Sequence, residues 1–212
     1  MQILAIDTAS PFPSVTLIAP GGVREETLPD DRRASEELLP AVARCFAAAG
    51  TTLSECERIA VCAGPGSFTG LRVGLATAWA LGRAAHVAVE AVSTLEALAE
   101  TLRPEGHARV AALLDAGRGE VVLEVFALDG ERARPEGPPV RLTVEEARSR
   151  TAGIPTAALP PDLLSLGGGR PGTSPSRALA LAVSRAPRED PGSRLEGIYS
   201  RPSAAEEKHG AS

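Results

Sequence analysis

Aromatic side chains are scarce in this chain of 212 residues, which has one Trp, one Tyr and four Phe, 3% in all. A core of any size must therefore be built from Leu, Val, Ile and Ala, which carry most of the 43% apolar content. Lysine is scarcer still: Lys208 stands alone, so the positive charge is almost all arginine. With a formal net charge of −5, the chain is a poor nucleic-acid binder by itself, because phosphate contacts need clustered cations. Cysteine is limited to Cys45, Cys56 and Cys62. An odd number without paired spacing argues against a disulfide framework or a zinc ribbon and points to a reducing, cytoplasmic setting. Cys62 lies in an apolar strand pattern and reads as a small core residue. Histidine is limited to His86, His107 and His209; none pairs at helical spacing, so a helix-borne metal site is missing. No apolar run approaches the ~20 residues of a membrane span. The opening Met1-Gln2-Ile3-Leu4-Ala5-Ile6-Asp7 lacks the basic region and cleavage site of a signal peptide. No G-x-S-x-G elbow offers a hydrolase nucleophile, and no nucleophile–base pair suggests a peptidase.

What the chain does have is alternation of strand and helix patterns. Short strands are expected at residues 2–7, 14–19 and 23–28, joined by Ala9-Ser10-Pro11 and Pro20-Gly21-Gly22, as an antiparallel meander. A helix follows near 33–49, its stripe formed by Leu38, Leu39, Val42, Ala43 and Phe46. Pro40 fits that helix if the first turn begins near Glu36 or Glu37, and Gly50 is its stop. Thr52-Leu53-Ser54-Glu55 reads as a capping box. A buried strand at 58–63, a loop at 64–69, a helix at 70–84, a strand at 86–92 and a helix at 95–102 complete the first half. Arg103-Pro104-Glu105-Gly106 reads as a linker. The stretch Val110-Ala111-Ala112-Leu113-Leu114-Asp115, with its glycine-rich turn and a strand at 120–128, echoes the N-terminus and suggests a duplicated unit. Weaker signals place strands at 140–142 and 156–159 and helices opening at Thr143-Val144-Glu145-Glu146 and spanning 176–186. Gly167-Gly168-Gly169 reads as a turn, 187–193 as loop and 204–212 as a frayed tail. The expected class is α/β, in two similar halves.

Three features could carry chemistry or contacts. Gly64-Pro65-Gly66-Ser67-Phe68-Thr69-Gly70-Leu71-Arg72-Val73-Gly74 follows a strand and opens a helix, where backbone N–H groups suit an anion. It is neither a Walker A loop nor a Rossmann fingerprint. Either Gly66, Ser67 and Thr69 cap a phosphate or position a partner loop, or the glycines merely allow a tight turn. The helix beyond carries small residues every fourth position, Gly70, Gly74, Ala78 and Gly82, beside Leu71, Leu75 and Leu81. Helical glycine costs up to ~1 kcal/mol relative to alanine, so close packing against its own sheet or against another protein is expected. Asp7 and Asp115 each end the first strand of a half, where carboxylates could approach metal-bound phosphates or simply form turns.

The stretches 3–10, 35–40, 64–74, 92–98 and 115–121, with Tyr199-Ser200-Arg201-Pro202 and Ala205-Glu206 near the end, together resemble the TsaB (YeaZ) family. The resemblance implies the actin-like ATPase (ASKHA) fold of two RNase H-like halves, here 1–102 and 103–203, with a flexible tail at 204–212. It also implies a non-catalytic adaptor that binds a TsaD homologue, the enzyme that transfers threonylcarbamoyl to tRNA, with the ATPase TsaE joining them. The chain then meets tRNA only through the complex, touches no membrane, and forms a homodimer when TsaD is missing. The partner surface would lie on the first two helices: Ser35, Leu38, Leu39, Val42 and Phe46 on one, Gly70, Leu71, Gly74, Leu75, Ala78 and Gly82 on the other. Asp7, Gly64, Gly66, Ser67, Thr69 and Arg72 would contact a nucleotide or a partner loop. No catalytic residue, metal ligand or firm cofactor is implied, though ATP or ADP could sit at the interface of the complex. Family members often carry His where Ala34 precedes Ser35. The competing reading is an ATP-dependent phosphotransferase of the same fold, built on Asp7, Asp115 and the glycine loop.

Overall fold

The computed structural model describes residues 1–29, 34–160, 163 and 174–185. The expected turn at Gly167-Gly168-Gly169, the loop at 187–193, the motifs from Tyr199 to Glu206 and the tail at 204–212 lie outside the described residues.

Strands β1 (Ile3–Asp7), β2 (Ser14–Ala19) and β3 (Gly22–Thr27) form the antiparallel meander. Helix α1 (Ala34–Ala49) follows. It begins earlier than Pro40 alone would suggest, so Pro40 sits inside the helix rather than in its first turn. The residue is on the exposed side, where the Glu36 carbonyl deprived of its partner can turn to water. Gly50, at φ +64°, ends the helix in the left-handed region. Strand β4 (Arg58–Cys62) lies parallel to β1. Helix α2 (Phe68–Ala85) starts within the expected loop because the Ser67 hydroxyl accepts from the Gly70 N–H at 3.2 Å, capping it two residues early. Strand β5 (Ala88–Val92) completes a sheet of order β3-β2-β1-β4-β5. Both β1 and β4 are buried at every residue, as expected for strands covered on both faces.

Helix α3 (Thr94–Glu100), capped by Ser93, leads to the second half. Residues 103–106 are not a loose linker. Arg103–Glu105 is a turn of 3-10 helix, and Arg103 donates to the backbone carbonyls of Leu128 and Gly130. The second sheet contains β6 (Arg109–Gly117), β7 (Glu120–Ala127), β8 (Arg134–Pro135), β9 (Val140–Thr143) and β10 (Thr156–Leu159), with α4 (Val144–Arg150) before β10. Its order is β10-β6-β7-β8, with β9 also paired to β7. The duplication is real in three dimensions: β6, β7, β9 and β10 repeat the meander and parallel return of β1, β2, β3 and β4. The two-residue β8 carries no periodic signal and could not be read from sequence. The Thr143 capping box forms as expected, the Thr143 N–H donating to Glu146 Oε2 at 2.9 Å.

The last described helix, α5 (Pro175–Arg185), begins on a proline, which needs no N–H there. It packs on β1, β2 and β4 of the first sheet, whereas α3 packs on β6, β7 and β10 of the second. Each half thus supplies the helix that covers the other half's sheet, and α3 and α5 pack together between the sheets. Ser176 of α5 seats the crossing: its Oγ lies 2.8 Å from both Ser14 Oγ and Thr16 Oγ1 of β2. Helices α1 and α2 cover the outer face of the first sheet, and α4 packs beside β7 and β9.

Candidate functional site

The turn after β1, the start of α1, the loop before α2 and the end of β6 meet at a cleft of about 440 Å³. That volume is within the range of small-ligand sites. Of the loop and nucleotide residues expected from sequence, the cleft brings together Gly66, Ser67 and Thr69, along with Ser35, Gly70 and Asp115. Its walls are hydroxyl-rich, with Thr8, Ser10, Ser67 and Thr69, and among the described residues Asp115 is the only ionisable one lining it.

Asp7 and Gly64 do not reach the cleft. Asp7 is fully buried. Its Oδ1 accepts the backbone N–H groups of Ala9 at 2.9 Å and Ser10 at 3.1 Å, so it shapes the turn between β1 and β2. Its Oδ2 is sealed without a hydrogen-bond partner. Burial pushes the Asp7 carboxyl above the usual carboxylate range, with the hydrogen bonds from Ser10 and Ala9 opposing. Gly64 is engaged with its own chain: its N–H donates to Thr94 Oγ1 at 3.1 Å and its carbonyl accepts the Thr94 N–H at 2.7 Å. Arg72 stands outside the cleft lining, exposed, with its guanidinium 3.7 Å from the centroid of the Phe68 ring. The pair Asp7 and Asp115 is therefore split, one sealed and one exposed.

Among the described residues, the cleft supplies few of the groups that would hold a Mg-nucleotide. A triphosphate needs cations or several free backbone donors around it. Among the described residues no Arg or Lys lines the cleft, one of the two carboxylates expected to approach a metal, Asp7, is sealed while Asp115 lines the cleft, and the Ser67 side chain already takes the Gly70 N–H. Among the described residues no group of three or more His, Cys, Asp or Glu could hold a metal ion. The cysteines offer no nucleophile either: all three are buried and free. Burial pushes the Cys45 thiol up to about 11 and Cys62, facing Asp7, well above its ordinary value.

The glycines of the loop have a structural reason. A Cβ on Gly66 would lie 2.3 Å from the Ala9 carbonyl oxygen, and one on Gly74 would lie 2.3 Å from Thr8 Oγ1. The turn after β1 rests directly on the first turns of α2. The same holds further along, where a Cβ on Gly82 would meet Val89 Cγ2 at 2.3 Å. The small-residue line of Gly70, Gly74, Ala78 and Gly82 therefore faces the chain's own sheet, and its role as an open partner surface is corrected. Leu71, Gly74, Ala78 and Gly82 are the buried residues of α2. On α1, Leu38, Val42 and Phe46 are likewise buried in the core with β1, β2 and β4. Of the expected partner residues, Ser35 and Leu39 stay exposed, while Gly70 and Leu75 are half-buried.

The outward faces are different. Leu39 is 55% exposed on α1 and Trp79 is 56% exposed on α2. Beside Trp79 lie exposed Ala76, Ala80 and Ala84. Trp79 was not singled out by periodicity, because the inward line of small residues drew attention to the opposite face. Its signal was nonetheless present: the only tryptophan of the chain stands in a helix that contains no acidic residue.

One buried carboxylate makes a checkable pH effect. Glu124 on β7 is 8% exposed, and burial, then the charge of Glu96, push its carboxyl up to about 7. A raised folded value means that ionisation disfavours the fold. The stabilisation from the protonated form is complete below the ordinary value of 4.5, declines above it, and is lost as pH rises through about 7. Urea denaturation at pH 5 and pH 8 should show Glu124→Gln close to wild type at the lower pH and more stable than wild type at the higher. Equal pH dependence in both proteins would mean that Glu124 is solvated and titrates normally.

The fold first defines a class: an ASKHA-type α/β protein of two RNase H-like halves. A family model described as TsaD, tRNA N6-adenosine threonylcarbamoyltransferase, matches residues 18–147. The chain is 39% identical over 130 residues to the tRNA threonylcarbamoyladenosine biosynthesis protein TsaB of Escherichia coli, covering 61% of this chain and 56% of that protein. It is 41% identical over 135 residues to a tRNA N6-adenosine threonylcarbamoyltransferase of Methylorubrum extorquens, covering 63% of this chain and 38% of that one. Among solved structures, YeaZ from Pseudomonas aeruginosa superposes with a TM-score of 0.76 at 27% identity, over 93% of this chain and 99% of that one. The chain belongs to this threonylcarbamoyltransferase-type family, and its matches lie with the TsaB (YeaZ) proteins. It spans about half the length of the curated relatives it matches. Among the described residues, no helix is long and apolar enough to cross a membrane.

Proposed function

We propose that this chain is a non-catalytic adaptor that binds and supports a TsaD homologue in forming N6-threonylcarbamoyladenosine on tRNA. The observation that carries this reading is the outer face of α1 and α2, where Leu39 and Trp79 are more than half exposed, next to a cleft in which the described residues assemble no acid, base or nucleophile set. Large apolar side chains in that position suit a protein partner. The relatives with matching sequence support a place in the tRNA threonylcarbamoyladenosine route. In this reading TsaE joins the pair, tRNA is met through the complex, any ATP or ADP sits at the interface, and the setting is the cytoplasm. The phosphotransferase alternative is weakened by the sealing of Asp7 and by a cleft that no cation lines among the described residues.

Co-purification with a TsaD from the same source tests the proposal. A stable complex at micromolar concentration is the expected result. Trp79→Asp and Leu39→Asp should each weaken it roughly thirtyfold or more, the loss expected of a central apolar anchor. Because both residues are exposed, the melting temperature of the free variants should stay close to that of wild type. Failure of the wild-type chain to bind would end the adaptor reading.

A further inference from the structure

The joint between the halves holds Glu90 on β5, Glu96 and Glu100 on α3, and Glu124 on β7. All but the last meet arginines. Arg132 takes Glu90 and Glu96, Arg58 approaches Glu90, and Arg103 and Arg185 take Glu100. Glu124 is buried, yet among the described residues no cation pairs with it and no group hydrogen-bonds to it. A carboxylate left alone in such a place is costly when ionised.

Its surroundings are uniform in sign. Glu124 alternates along β7 onto the face of Val122 and Phe126, which α3 covers. Helix α4, with Glu145, Glu146, Arg148 and Arg150, packs on the opposite face, against Val121 and Leu123. Across the sheet, the residue beside Glu124 on β6 is Ala112. The charges of the neighbouring strands are turned to partners of their own: Arg109 of β6 to Glu136, Arg134 of β8 to Asp129, and Arg141 of β9 to Glu120. The charge that faces Glu124 is Glu96 of α3. Arg132 does not relieve the pair, because its guanidinium is already shared between Glu96 and Glu90.

The same turn of α3 grips the first half. Glu96 follows closely on Thr94, the first residue of the helix. Thr94 Oγ1 accepts the Gly64 N–H at 3.1 Å, and the Thr94 N–H donates to the Gly64 carbonyl at 2.7 Å. From Gly64 the chain passes through Gly66 and Ser67, which line the cleft, into the cap of α2. A single helical turn thus connects the carboxylates of the joint to the glycine loop.

We propose that Glu124 and Glu96 form a proton-operated latch on α3, through which the second half sets how firmly the loop from Gly64 to Ser67 is held. With Glu124 protonated, α3 seats on β7 and Thr94 grips Gly64. With Glu124 ionised, two like charges face each other in a poorly hydrated joint, the first turn of α3 lifts and the loop is released. Burial, then Glu96, push the Glu124 carboxyl up to about 7, so the gripped form binds the proton more strongly than the released form. The grip is therefore full below the ordinary value of 4.5, declines above it, and is weakest once pH has passed about 7. Burial also raises Glu96, against the opposing charge of Arg132.

Amide hydrogen exchange of the full chain, followed by NMR and corrected for intrinsic rates, tests the latch. The Gly64 and Thr94 amides should exchange through an opening smaller than global unfolding, and so faster than those of Leu4 and Leu113 in the centres of the two sheets. Their protection should fall about tenfold between about pH 6 and pH 8. Glu124→Gln should abolish that fall and keep both amides protected at the higher pH. Thr94→Val, which removes the hydroxyl that Gly64 donates to, should leave the Gly64 amide poorly protected at both pH values, while the Glu124 carboxyl carbon still titrates near 7. The latch is overturned if protection at Gly64 and Thr94 does not change with pH, if it falls equally in Glu124→Gln, or if the two amides exchange only together with Leu4 and Leu113. A Glu124 carboxyl carbon titrating at the ordinary 4.5 overturns it as well.

Discussion

Glu100→Ala should lower the stability of the chain by about 3 kcal/mol, toward the lower end of what breaking a buried charge pair costs. Glu100 stands at the end of α3 with its carboxylate almost fully enclosed. Its Oε2 accepts Arg103 Nε and Arg185 Nη2, both at 2.6 Å, and its Oε1 accepts Arg103 Nη2 at 2.8 Å and the backbone N–H of Ala133. One side chain therefore ties α3 to α5, to the turn before β6 and to the segment after β7. Removing it leaves two guanidiniums beside each other and a buried amide without an acceptor. The lower end applies because the Arg185 side chain is 36% exposed and water can partly replace the lost partner. Glu100→Gln keeps an acceptor and should lose less. Urea denaturation reads both. A loss below about 1 kcal/mol for the alanine variant, the level of a surface pair, would show that the network is solvated.

The same network explains how the halves are joined. Arg132, just beyond β7, reaches Glu90 on β5 and Glu96 on α3, and Arg58 on β4 approaches Glu90 at 3.9 Å. With α3 and α5 exchanged between the sheets, opening the cleft would have to separate buried apolar surface and break these pairs together.

Much of this architecture was legible because it rests on local physics. Strands buried on both faces show as short apolar runs, the Thr143 box and Gly50 mark helix ends, and the echo of residues 3–7 in 110–115 marked the repeat. The exchange of α3 and α5 was hidden, since nothing local in either helix says which sheet it will cover. The facing of α2 was harder still. Gly70, Gly74, Ala78 and Gly82 make one small-residue line, while Ala76, Ala80 and Ala84 make another, offset by two positions. Periodicity gives both lines the same weight, and only the close approach of Thr8 and Val89 decides which turns inward. The candidate site followed the same division. Gly66, Ser67 and Thr69 stand in a motif that the sequence singles out and they line the cleft, but the burial of Asp7 depends on β4 and α5 packing against β1, which no motif records.

That close approach makes Gly70→Ala the opposite of the usual helix substitution. In a solvated helix, replacing Gly by Ala stabilises by up to ~1 kcal/mol. At position 70 the added Cβ would lie 1.8 Å from the Thr8 carbonyl oxygen and 2.9 Å from its carbon. These are backbone atoms at the end of β1, held by the Thr8 hydroxyl donating to the Gly70 carbonyl at 2.7 Å and by the Ser67 N–H donating to the Ala9 carbonyl at 2.9 Å. No rotamer change relieves the overlap. Either α2 lifts from the turn or the turn leaves Asp7 uncovered, and both expose sealed polar groups. We expect destabilisation of about 3 kcal/mol, the upper range for overpacking, read as a lower urea midpoint. Gly21→Ala is the matched control, because a Cβ there meets nothing within 4 Å, and it should leave the midpoint unchanged. A Gly70→Ala protein as stable as wild type would mean that α2 does not rest on the turn after β1, and the glycines of residues 64–74 would then have to be explained by a ligand.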